Sequence, residues 1–72
     1  MTYEAKVRSD GQGYFARIGG CTASATSCAS LAVERAGRKA LGEKAKFTVK
    51  RKGGRATLVG ETWRETWLVI EA

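Results

Sequence analysis

From Thr2 to Arg8 apolar and polar positions alternate, with Tyr3, Ala5 and Val7 on one side and Thr2, Glu4, Lys6 and Arg8 on the other. A period of two predicts a strand with one buried face. Ser9-Asp10-Gly11-Gln12-Gly13 carries turn chemistry, and Tyr14, Ala16 and Ile18 then resume the alternation. Residues 2–18 therefore predict a β-hairpin. Gly19-Gly20 interrupts the pattern, and Cys21 to Ala25 reads equally as a short third strand or an irregular connection.

The period then changes. Thr26 or Ser27 can cap a helix N-terminus by accepting from an orphan backbone N–H. From Cys28 to Leu41, spacing at 100° per residue places Ala29, Ala32, Val33, Ala36 and Ala40 on one stripe, away from Glu34, Arg35 and Arg38. A stripe of such small side chains predicts close approach of the helix to a sheet, and Gly42 is placed to end the helix in a left-handed conformation. Beyond it, Phe47 and Val49 alternate with Lys46, Thr48 and Lys50, Gly53-Gly54 offers a two-residue hairpin turn, and Arg55 to Val59 reads as the returning strand. Gly60 breaks the pattern. Trp63 to Ile70 ends in Trp67-Leu68-Val69-Ile70, apolar on both faces, which predicts a central or covered strand. The expected fold is α+β: an antiparallel β-sheet of four strands, five if residues 21–25 pair, with one helix packed on one face, in the order β-β-α-β-β and in a single domain, 1–72.

Length and composition narrow the function. A chain of 72 residues builds a small core and has little room for a deep catalytic pocket. The chain has no His, and its seven acidic residues are scattered rather than paired, so neither acid/base nor nucleophilic catalysis is indicated. Cys21 and Cys28 alone cannot complete a four-ligand zinc site, and their spacing admits either free thiols or a disulfide. Cys28 falls near the positive end of the helix dipole, where a thiolate would be favoured, but without a base it reads as a small buried hydrophobe. No cofactor or metal is expected. The absence of a long apolar run points to a soluble cytoplasmic protein with no membrane partner.

Charge carries the strongest signal. Thirteen Lys and Arg against seven Asp and Glu leave +6, which favours an acidic partner. Lys44, Lys46, Lys50, Arg51, Lys52 and Arg55 lie in a stretch without an acid, and strand alternation places Lys46, Lys50 and Lys52 on one face around a hairpin tip. Such a cluster can neutralise several phosphates, or it can be the lysine-protected edge of a sheet. Arg35, Arg38 and Lys39 on the outer helix surface extend the patch or solubilise the helix. Among the aromatics, Tyr14 and Trp67 fit the core, whereas Phe15 and Trp63 are the candidates for exposure and for stacking on bases.

Two resemblances add expectations. Tyr3-Glu4-Ala5-Lys6-Val7, Gly13-Tyr14-Phe15-Ala16, Gly20-Cys21 and the helix from Ser27 resemble the opening of HicB-type antitoxins, with Ala29-Ser30 where those carry paired acidic residues. In size and in its Ala/Arg-rich helix the whole chain is similar to small phage and mobile-element proteins of strand-strand-helix-strand-strand type, some of which are anti-CRISPR inhibitors. That resemblance implies a non-enzymatic inhibitor of a nucleoprotein complex. The alternatives are a direct nucleic-acid binder using the basic hairpin, and a HicB-like interaction module. Expected partners are accordingly a protein or nucleoprotein complex with an acidic surface, nucleic acid, or a second copy joined through a sheet edge.

Overall fold

The computed structural model describes the backbone throughout and the side chains of residues 1–53 and 57–72. Three strands, β1 (Thr2–Ser9), β2 (Tyr14–Ile18) and β3 (Cys21–Ala25), precede the helix α1 (Ala29–Leu41), and β4 (Phe47–Val59) and β5 (Thr62–Glu71) follow it. All pairings are antiparallel, and the sheet order is β3-β2-β1-β5-β4. The α+β architecture with one helix on a sheet face is thus as expected, and residues 21–25 supply the fifth strand. The central strand β1 and its neighbour β5 come from the two ends of the chain, and Glu71 N–H donates to Met1 O at 2.8 Å.

Alternation decides the two faces. Ala5 and Val7, Ala16 and Ile18, Ala25 and Val69 point to the helix and are buried. α1 returns Ala29, Ala32, Val33, Ala36 and Gly37. Gly37 replaces Ala40 on the buried stripe, because the helix leans on Phe47: a Cβ at position 37 would stand 2.9 Å from Phe47 Cζ and 3.5 Å from Val69 Cγ1. Val33 and Val69 are the largest side chains that are fully buried, so small residues allow close layers but leave a thin core. Among the described residues no helix is long and apolar enough to cross a membrane.

Three local expectations need correction. Gly53-Gly54 does not reverse the chain. β4 runs on to Val59, with an irregularity between Lys52, opposite Thr66, and Thr57, opposite Arg64. Extra residues on one strand of a pair form a bulge that the partner strand tolerates. The reversal comes at Gly60-Glu61, where Gly60 has φ 65°, a conformation glycine adopts without steric cost. The N-cap is Cys28, extended at φ −162° and without a side-chain cap, in place of Thr26 or Ser27. At the other end Gly42 has φ 108° and ψ 153°, outside the left-handed helical well, while its N–H still closes on Arg38 O.

Candidate nucleic-acid interface

Among the described residues, nothing covers the sheet face opposite α1. Register aligns its side chains into rungs: Ser24, Phe15, Arg8, Arg64 and Thr57 form one, and Thr22, Arg17, Lys6, Thr66 and Lys52 the next. Glu4, Leu68 and Lys50 follow below. Among the described residues the face therefore gathers Lys6, Arg8, Arg17, Lys50, Lys52 and Arg64 against one acid, Glu4. Its surface curves into an open trough of about 1260 Å³, whose lining includes Arg8, Phe15, Arg17, Lys6, Lys52 and Arg64.

Two adjacent rungs place like charges directly opposite each other, Lys6 with Arg17 and Arg8 with Arg64. Such pairs destabilise a sheet by roughly 0.2–1 kcal/mol each. Arg8 offsets part of that by stacking over Phe15, its guanidinium carbon 5.2 Å from the ring centroid. Arg17 turns its Nε–H to Gly19 O at 3.0 Å. Among the described residues, Arg8, Arg17, Arg64 and Lys50 have no carboxylate partner. Glu4 takes the remaining two lysines: Lys6 Nζ lies 2.7 Å and Lys52 Nζ 3.0 Å from its two oxygens. Hydrogen bonds from Lys6 and then Lys52, with their charges, lower the Glu4 pKa from 4.5 to about 2.

The basic residues singled out in the sequence are divided by this arrangement. Lys50 and Lys52 lie on the open face. Arg51 points to the helix side, 3.3 Å from Glu65 and with its guanidinium carbon 5.6 Å from the Trp67 ring centroid. Trp67 Nε1–H donates to the other Glu65 oxygen at 2.8 Å, so this trio is a closed network. Lys44 and Lys46 lie in the α1–β4 connection, and the Arg55 side chain is outside the described residues. The expected patch around a hairpin tip at Gly53-Gly54 therefore has no counterpart. On α1, Arg35 Nη1–H donates to Ser24 O and Lys39 Nζ to Thr22 O, each at 2.8 Å, while Arg38 holds Glu34 and Glu43 O and stacks over Phe47. These helix cations close the β3 edge and the helix end. Phe15 and Trp63 are both exposed, at 36% and 50%, but on opposite faces.

The sequence reading missed Lys6, Arg8, Arg17 and Arg64. The signal was present, since the first three are the outward positions of the β1–β2 alternation; what was lacking was the β1–β5 pairing that brings them beside Arg64, Thr66 and Lys52. On the helix side, Tyr14, Cys28, Arg51, Trp63, Glu65 and Trp67 line a smaller cleft of about 410 Å³. Cys28 is exposed there rather than buried, and hydrogen bonds from Ser30 and then from the Leu31 N–H hold its thiol below its ordinary pKa. Both cysteines are free. Cys21 opens β3 and Cys28 lies past its end at the start of α1, with the strand's length of about 13 Å between them. No protein-family model, curated protein or solved structure matches this chain.

Proposed function

We propose that this protein is a non-catalytic nucleic-acid-binding module whose open sheet face lies against the phosphate backbone. The observation that carries the reading is the two directly opposed like-charge pairs, Lys6 with Arg17 and Arg8 with Arg64. A surface serving solubility alone would mix signs across rungs, whereas stacked cations await an anion larger than a side chain. Polyphosphate satisfies that demand and releases counterions in doing so.

Dimensions favour backbone over base-edge contact. Five strands at about 4.8 Å spacing are about 19 Å wide, and a major groove about 12 Å wide admits a two-stranded ribbon rather than such a sheet. Contacts of this kind position a protein without selecting sequence. Covering exposed phosphates within a nucleoprotein complex would make the same face the working surface of an anti-CRISPR-like inhibitor.

The test is binding of short DNA and RNA, single- and double-stranded, at about 50 and 200 mM salt. Replacing Arg8, Arg17 and Arg64 together by Ala should weaken binding for every sequence and reduce the log–log salt slope by about 2.7 on duplex DNA, about 0.9 per lost contact. Lys44→Ala with Lys46→Ala, outside the paired strands, should change the slope less. Equal losses in both variants would overturn the assignment of the face. Absence of salt-dependent binding, with co-elution of the protein on a nucleoprotein complex instead, would replace direct binding by the inhibitor reading.

A further inference from the structure

Among the described residues Glu4 is the only acid on the open face, and it stands where two strands' lysines converge. Lys6 on β1 and Lys52 on β4 approach its carboxylate from either side, and Lys6 Nζ also lies 3.4 Å from Thr66 Oγ1 on the intervening β5. Lys6 and Lys52 thus bring two ammonium groups to one carboxylate, with the Thr66 hydroxyl beside the first, and the anion between them is a residue of the chain itself. All three charged side chains remain substantially exposed, Lys6 at 68%, Lys52 at 55% and Glu4 at 42%, so water and a larger anion have access.

We infer that Lys6, Lys52 and Thr66 form a phosphate-binding site that the Glu4 carboxylate occupies in the free protein and yields to a backbone phosphate on binding. This rests on the reading of the open face as a nucleic-acid interface. A phosphodiester carries the same single negative charge as the carboxylate and offers two unesterified oxygens, so it can replace both ion pairs one for one. The exchange is feasible because exposed pairs are weak and screened, whereas the duplex brings further phosphates to Arg8, Arg17 and Arg64 at the same time. Glu4 then acts as a brake: isolated phosphate does not dislodge it, while a polymer engaging the whole face does.

The experiment is a double-mutant cycle on a labelled DNA duplex of about 20 base pairs at about 50 mM salt, with folding of each variant checked by circular dichroism. Glu4→Gln removes the competing charge and should tighten binding about fivefold, the order of one or two exposed ion pairs. In a Lys6→Ala, Lys52→Ala background the same substitution should give less than a twofold gain, because the site it vacates is gone. Equal gains in both backgrounds would show that Glu4 acts only through the general field, and an unchanged affinity in Glu4→Gln would show that it does not compete; either overturns the inference while leaving the interface standing. Failure of the wild type and of Glu4→Gln to bind the duplex at all would overturn the interface and the inference together.

Discussion

Val33→Ala is the perturbation that best tests the packing account, because Val33 is fully buried on the helix face while nearby positions are already alanine. Removing two methyl-sized groups forfeits about 1.6 kcal/mol at about 0.8 per buried group. A residual void of roughly 50 Å³ adds about 1.2 kcal/mol at about 24 cal/mol per Å³. The expected loss of about 2–3 kcal/mol is a large share of the total, since 72 residues at about 0.05–0.15 kcal/mol each give roughly 4–11 kcal/mol. It should lower Tm by about 10–20 °C. Urea unfolding followed by circular dichroism would show a lower midpoint with an unchanged slope. Leu58→Ala is the control: the side chain is larger but 51% exposed, and its removal should cost under about 0.5 kcal/mol. A Val33→Ala loss below about 1 kcal/mol, or a Leu58→Ala loss as large as that of Val33→Ala, would refute the division between core and surface drawn here.

Two further expectations concern charge. Because the Glu4 pKa falls from 4.5 to about 2 on folding, its contribution to stability is complete above about 4.5 and disappears as pH drops through about 2; urea midpoints between pH 5 and 2 should fall less steeply for Glu4→Gln than for the wild type. Arg35→Ala with Lys39→Ala frees the carbonyls of Ser24 and Thr22 on the β3 edge, so sedimentation velocity should show concentration-dependent association absent from the wild type, with a stability loss of about 1 kcal/mol. A variant that stays monomeric at high concentration would mean that those two side chains do not seal the edge.

The strands were legible wherever one face is buried, because burial forces alternation: Ala5 and Val7, Ala16 and Ile18 are both the pattern and the core. The helix was legible from its alanines, but Gly37 was not assigned to the stripe, since its burial depends on where the Phe47 ring lies. Gly53-Gly54 misled because local chemistry there favours a turn while pairing with β5 on both sides of the irregularity carries the strand through. The candidate site was hidden for a different reason. Lys50, Arg51 and Lys52 are adjacent in sequence but alternate across the sheet, so proximity along the chain overstated their cooperation. Lys6 and Lys52 are far apart in sequence but meet at Glu4, and only strand order discloses that.

That order has a kinetic consequence. β1, β2, β3 and α1 form one run of neighbouring contacts and β4 and β5 form another; α1 rests on Phe47 and Val69, and the β1–β5 seam joins the strands through pairs such as Thr2 with Ile70 and Arg8 with Arg64. Contacts this remote in sequence close late, after most of the loop entropy has been met by local structure. Arg8, Arg17 and Lys6 belong to the first unit, Arg64, Thr66 and Lys52 to the second. Neither unit carries the charged face by itself, so the surface comes into being only when the seam zips, and a partly folded chain presents two weaker half-surfaces in place of one polyanion trough.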